Sequence, residues 1–191
     1  MDILIVSIYS YILGSIPFGL IITKVFLNKD IRKVGSGNIG TTNVLRTGKK
    51  SLAITTLLLD ALKGYASVIV SLIYFNDLVF LSALTCFIGH IFPVWLNFKG
   101  GKGVAVYLGI ITALSFPLAA VFGICWIVLA FIFKYSSVSS IVGSLSVLLF
   151  SIISNNYSLS FFLFIIFIII LFTHRENIQR LKNSKENKIN L

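Results

Sequence analysis

Charge is what this chain has least of. Only 12% of its 191 residues are charged, and six acids stand against sixteen lysines and arginines. A soluble domain usually carries about a quarter charged residues, so a water-solvated globular protein is excluded at the outset. Cysteine is equally scarce. Cys86 and Cys125 sit in apolar stretches at a spacing that fits no metal pattern, and they read as small hydrophobes. The few acids form no cluster suited to a metal, which argues against magnesium-dependent transfer from a nucleotide diphosphate. Neither His90 nor His174 opens a His-x-x-x-x-Asp arrangement, so a His/Asp base pair is missing too. No cysteine lies in a cationic, exposed setting for thiolate chemistry. Any reaction must then rely on positioning and charge stabilisation, with no metal, cofactor or protein nucleophile.

What the chain has in abundance is apolar sequence: 57% of residues are hydrophobic. Runs long enough to cross a hydrocarbon core of about 30 Å recur throughout. Continuous runs such as residues 161–172 exclude the alternating pattern of an outer-membrane barrel. The first run opens on Asp2 and carries Ser15-Ile16-Pro17-Phe18-Gly19 in its deeper part, which is unlike a signal peptide. The pattern predicts an all-α polytopic bundle, one domain over residues 1–191, with seven spans. These lie near residues 3–23, 51–75, 78–97, 104–116, 118–133, 138–154 and 157–173.

The basic residues orient it. Seven fall in residues 24–50, two in 99–102, one at Lys134 and five in the tail, while the intervening turns carry none. With seven spans every basic loop lies on one face, which the positive-inside rule makes cytoplasmic, with the N-terminus outside. The net charge of +10 is thus an orientation signal, and no nucleic-acid partner is invoked. Residues 104–133 could also be one long helix, but Lys134 and the basic tail would then fall outside. A break near Ser115-Phe116-Pro117 restores consistency, at the cost of a short fourth span.

Two polar loops interrupt this apolar background. Lys99-Gly100-Gly101-Lys102-Gly103 sets two ammonium groups in a glycine turn beside membrane-type sequence. Glycine N–H groups in such a turn can form an anion nest with no Cβ to keep phosphate away. Residues 36–46, from Ser36-Gly37-Asn38 through Gly40, Thr41 and Asn43 to Arg46, share that character. With Ser137, His174 and Asn177, they give one face rich in cations and hydrogen-bond donors and poor in acids, a set suited to phosphate. Lys24, Lys29, Lys49, Lys50 and Lys185 read as headgroup anchors, whereas Arg46 and Lys102 adjoin small polar residues that anchoring does not require. His90, near the end of the third span, fits either a structural hydrogen bond or a site. Asp60 and Lys63, intramembrane at i and i+3, suit a structural ion pair or a polar pocket. His174, Asn177 and Leu181 would share one face of a tail helix.

Several motifs run in order along the chain. They are Gly14-Ser15-Ile16-Pro17, the 36–46 loop, Asp60-Ala61-Leu62-Lys63-Gly64 and Gly89-His90 with Pro93. Phe98-Lys99-Gly100-Gly101-Lys102-Gly103-Val104-Ala105 and Tyr135-Ser136-Ser137 follow. Last come His174-Arg175, Asn177-Ile178, Arg180-Leu181, Glu186 and Lys188. In this order the chain resembles the bacterial acyl-phosphate:glycerol-3-phosphate acyltransferases, integral membrane enzymes with seven spans. Departures are small: Ile39 where proline is common, Val106 where threonine is common, and Ser184 near a usual glycine.

The resemblance implies acyl transfer from acyl phosphate to the 1-hydroxyl of sn-glycerol 3-phosphate at the cytoplasmic face of a bacterial inner membrane. It implies Lys102, Ser36, Arg46, His174 and Asn177 as catalytic residues. Gly37, Asn38, Gly40, Thr41, Asn43, Lys99, Gly100, Gly101, Gly103 and Ser137 would bind substrate, while His90, Asp60 and Lys63 keep the structural or supporting alternatives read from their own positions. A soluble enzyme that makes acyl phosphate would be a partner, alongside membrane lipid. A transporter of a phosphorylated solute or anionic lipid is the other class the loops allow. It would normally show repeated halves with broken helices at the midplane, and no such symmetry is visible.

Overall fold

A proline explains where the first helix stops. In the computed structural model, which describes residues 1–189, α1 (Asp2–Ser15) ends where Ile16 turns extended ahead of Pro17, and α2 (Phe18–Leu27) follows at once. Pro17 offers no N–H, and the residue before proline is pushed out of the helical region. The first apolar run is thus broken between Ser15 and Phe18. After α3 (Thr41–Leu45) come α4 (Lys50–Tyr74), α5 (Val79–Ile91) and α6 (Val104–Leu114). The chain continues through α7 (Phe116–Phe133), α8 (Ser136–Ile153), α9 (Tyr157–Thr173) and α10 (Arg175–Lys182). The described residues contain no strand.

Length separates the candidate spans into kinds. Asp2–Leu27, Lys50–Tyr74, Asn76–Leu96, Phe116–Phe133 and Ser136–Ile153 are each long and apolar enough to cross a membrane. The helix Tyr157–Thr173 qualifies together with α10 across a 56° bend. The break expected in residues 104–133 is present: α6 stops at Leu114 and Ser115 is extended before α7. Its position differs slightly, since Pro117 lies inside the first turn of α7 and Ser115 makes the break. α6 has 11 residues, about 16 Å at 1.5 Å per residue. Among the described residues, five helices, or six with the bent pair, are thus long and apolar enough to cross a membrane. Seven spans were expected from charge, and α6 falls short of that length.

The chain divides into two compact units, Met1–Leu114 and Ser115–Leu191. Within the first, two helix pairs approach closely at glycines. A Cβ on Gly14 or Gly89 would collide with the backbone of α5 or α1, and one on Gly64 or Gly109 with that of α6 or α4. Small residues at such crossings let backbones pack without a hydrophobic drive from lipid. A buried hydroxyl cluster joins α1, α4 and α5: Tyr9 Oη lies 2.6 Å from Ser71 Oγ, and Ser82 Oγ lies 2.9 Å from both Ser10 and Ser67. Each hydroxyl there finds a partner, as hydrocarbon requires.

The second unit uses the same devices. Gly143 brings α8 against the Phe122 ring of α7, and Trp126 Nε1 donates to Ser140 Oγ at 3.1 Å. Ser151 and Ser160 meet at 2.9 Å between α8 and α9. Large apolar side chains such as Leu58, Ile73, Ile124, Phe131 and Phe161 are exposed. Water would penalise that surface, and lipid would not.

Candidate functional site

The first polar loop is organised by one asparagine. Asn43 is buried, and its Nδ2 lies 2.8–3.1 Å from the carbonyl oxygens of Asn38, Val34 and Ile31. Its Oδ1 accepts the Ser36 N–H at 3.1 Å and faces Arg46 Nη1 at 3.4 Å. Gly35 and Gly37 stand at φ +54° and +72°, and a Cβ on Gly35 would press on Asn43 Oδ1. Asn43 was expected among the binding residues. With its amide spent on the loop backbone, it holds Ser36 and Arg46 in place. Asn38 Oδ1 accepts the Gly40 N–H at 3.3 Å, while the Thr41 hydroxyl is buried with no hydrogen-bond partner. Ser36 remains exposed and Arg46 half-buried.

Asp30 starts the loop by accepting the Arg32 backbone N–H and the Arg32 guanidinium, the latter at 2.6–3.2 Å. That pairing holds the Asp30 carboxyl well below the usual aspartate range. It also commits Arg32 to a structural partner.

The second loop lies on the end of α5. Gly100 N–H donates to the Ile91 carbonyl at 2.9 Å and Gly101 N–H to the His90 carbonyl at 3.0 Å. This corrects the anion-nest expectation for these two residues, whose donors point into the protein. Their lack of a Cβ has a packing cause. A Cβ on Gly100 would meet the His90 and Ile91 carbonyls, one on Gly101 the His90 imidazole, and one on Gly103, at φ +82°, the Phe87 ring. The capacity to hold an anion thus shifts to the half-buried Lys102, exposed Lys99 and the first turn of α6. N–H groups in a helix's first turn have no partner inside that helix.

A shared apolar cluster brings the loops together. Leu20, Ile31, Ile39, Val44 and Ala53 form it, and Leu96, just ahead of the glycine loop, packs on it. Tyr11 Oη donates to the Phe92 carbonyl at 2.7 Å and Trp95 Nε1 to Ser15 Oγ at 2.8 Å, tying the same turn to α1.

Beneath the glycine loop sits a buried polar cluster. The ion pair suggested by the i,i+3 spacing is present, with Lys63 Nζ 2.8 Å from Asp60 Oδ1. The approach is poorly aligned for a hydrogen bond and leaves Oδ1 without a donor. Lys63 Nζ also reaches the Ile16 carbonyl at 2.6 Å and His90 Nδ1 at 2.9 Å, and lies 5.6 Å from the Phe18 ring centre. The Pro17 break therefore has a use: it turns the Ile16 carbonyl towards an intramembrane cation.

In the second unit Glu186 is the hub. Its carboxylate accepts from Ser137 Oγ at 2.9 Å, Asn177 Nδ2 at 2.5 Å and Arg180 Nε at 2.7 Å. Burial of the group opposes ionisation, yet these three donors bring its pKa below the ordinary glutamate value. Ile189 N–H closes the tail on the Lys134 carbonyl at 2.8 Å. The expected tail helix is present, and His174 and Asn177 are both buried. His174 Nδ1 lies 2.8 Å from the Ile170 carbonyl. A carbonyl only accepts, so Nδ1 carries a proton and Nε2 is the basic nitrogen of the neutral ring. The site residues proposed from sequence did not include Glu186, although it is one of only two acids, with Glu176, in a basic tail.

These features define a polytopic helical membrane protein with two cation-bearing loops built on one apolar cluster. Residues 4–184 match the family model for glycerol-3-phosphate acyltransferase. A glycerol-3-phosphate acyltransferase from Pelagibacter ubique is 54% identical over 188 residues, 98% of each chain. One from Bradyrhizobium diazoefficiens is 48% identical, covering 95% of this chain and 92% of the relative. Crystal structures of PlsY (YgiH), an integral membrane glycerol 3-phosphate acyltransferase, superpose with TM-scores of 0.93 and 0.92 at 35% and 33% identity. The first is the glycerol 3-phosphate form and the second the lysophosphatidic acid form, each covering 100% of this chain and 96% of PlsY. The chain belongs to the glycerol-3-phosphate acyltransferase family.

Proposed function

We propose that this protein acylates the 1-hydroxyl of sn-glycerol 3-phosphate with a fatty acyl group from acyl phosphate, releasing 1-acyl-glycerol 3-phosphate and inorganic phosphate. The hydroxyl oxygen bonds to the acyl carbon, the acyl–phosphate bond breaks, and the departing phosphate takes the hydroxyl proton. The observation that carries the reading is the Lys102 loop, seated on α5 beside the Ser36–Arg46 loop, in a chain similar to PlsY in its glycerol 3-phosphate form. Lys102 would balance charge on the departing phosphate, with Ser36, Arg46 and Lys99 binding phosphate oxygens. From the second unit, His174 and Asn177 are assigned to substrate phosphate, with Asn177 held by Glu186, which Ser137 and Arg180 hold in turn. The whole chain acts as one catalytic domain in this proposal, supplied by a soluble enzyme that makes acyl phosphate.

Donor choice tests it. Purified protein given glycerol 3-phosphate should form lysophosphatidic acid from acyl phosphate, and only trace product from acyl-coenzyme A or acyl carrier protein. Comparable rates with acyl-coenzyme A free of acyl phosphate would refute the donor assignment.

The same proposal places the loops on the cytoplasmic side of a bacterial inner membrane, with seven spans and the N-terminus outside. The one-sided distribution of lysine and arginine supports it. A single cysteine introduced at Asp77 or Asn155 should react with an impermeant reagent added outside intact cells, whereas one at Ser184 should not. External labelling at Ser184 would overturn the topology.

A further inference from the structure

The Asp60–Lys63–His90 cluster has no step in the reaction proposed above, yet its outer end touches the glycine loop. Lys63 can only donate as an ammonium, so the His90 Nδ1 it faces at 2.9 Å is the acceptor. The ring proton therefore lies on Nε2, the opposite tautomer to that of His174. Lys63 is itself held by the Ile16 carbonyl and the Asp60 carboxylate. His90 is buried, so its ring has no water to turn towards.

The pinned ring ends at Gly101. A Cβ on Gly101 would collide with Nε2 and stand 3.0 Å from both Cδ2 and Cε1, so the ring tip fills the space a side chain would take. The His90 carbonyl accepts the Gly101 N–H at 3.0 Å, so main chain and side chain of one residue hold the same loop position. Lys102 is the next residue along.

We propose that His90 is a positioning residue for acyl transfer: clamped by Lys63, its imidazole sets the seat of Gly101 and thereby where the Lys102 ammonium meets substrate phosphate. The substrate in this statement rests on the function proposed above, while the His90–Gly101 contact rests on geometry alone. A phenyl ring could fill the space, but it would leave the Lys63 N–H without an acceptor in hydrocarbon.

A double-mutant cycle tests it. Gly101→Ala alone forces a methyl onto an immobile ring and should lower kcat/KM about a hundredfold, the scale of a misplacement near 1 Å. His90→Ala should cost about tenfold, and in that background the added methyl enters vacated space. The double variant should then be at least about tenfold more active than Gly101→Ala, a coupling within the range seen for touching residues. His90→Ala should also alter the same kinetic parameter, kcat or KM, that Lys102→Arg alters. Rates are taken per folded molecule, and thermal midpoints in detergent without substrate are measured on the same four proteins. Gly101→Ala should lower the midpoint when His90 is present and not when it is absent. Additive losses in the midpoints would overturn the contact. Coupled midpoints with additive kinetics, or His90→Ala activity per folded molecule equal to wild type, would overturn the positioning role. If wild-type protein makes no product from acyl phosphate, the functional proposal fails, and the midpoint cycle still reads the contact.

Discussion

Lys102→Ala is expected to lower turnover by about a hundredfold or more, the scale seen when a donor to a developing anion is removed. The backbone on both sides of this residue is fixed. Gly101 is tied to the His90 carbonyl, and Gly103 is locked at φ +82° against the Phe87 ring. The half-buried lysine thus presents its charge from a rigid turn, with little freedom to relocate. Lys102→Arg should fail substantially as well, because a planar fork does not replace a compact, rotating ammonium in a turn this tight. Lys50→Ala is the matched control, since Lys50 is an exposed residue opening α4, read as a headgroup anchor with no part in binding or transfer. Rates are compared at equal amounts of folded protein in detergent. Near-normal turnover of folded Lys102→Ala would reduce this lysine to an interfacial anchor and move the leaving-phosphate site elsewhere.

The helices were legible because composition and charge act over long windows. Apolar runs marked where they lie, and the one-sided lysines forced the break that the structure places at Ser115. The i,i+3 spacing similarly foretold the Asp60–Lys63 pair. The loops were legible as phosphate-suited in chemistry but not in geometry. A glycine run reads the same whether its N–H groups face a ligand or the protein. Only the fold shows Gly100 and Gly101 donating to Ile91 and His90. Asn43 was opaque for the same reason, since its partners are carbonyls up to 12 residues away. The Lys63–His90 contact spans 27 residues and the Ser137–Glu186 contact 49, distances at which no local pattern operates. Two elements of order were also hidden in one proline. Pro17 reads as a helix breaker, yet the carbonyl it frees matters because a lysine 47 residues from Ile16 accepts the offer.

The intramembrane pair itself carries the other large effect, this time on stability. Lys63→Met should destabilise the folded protein by about 3–5 kcal/mol, because it strips the counterion from a buried carboxylate. The side chains of Lys63 and Asp60 are only 1% and 2% exposed, so water cannot screen what remains. Asp60→Asn should cost less. The ammonium left behind keeps the Ile16 carbonyl and His90 Nδ1 as acceptors, whereas the carboxylate in Lys63→Met has an Oδ1 that already lacks a hydrogen-bond donor. Combining Asp60→Asn with Lys63→Met should recover much of the loss, since no unpaired charge stays in the bundle. The measurement is the unfolding midpoint of each variant in one detergent, followed by hydrogen exchange along α4. A double variant as unstable as the two losses added would mean that each side chain stabilises the protein through separate contacts. Recovery in the double variant would leave His90 without its Lys63 clamp in a folded protein, separating the charge pair's part in stability from the loop position it supports.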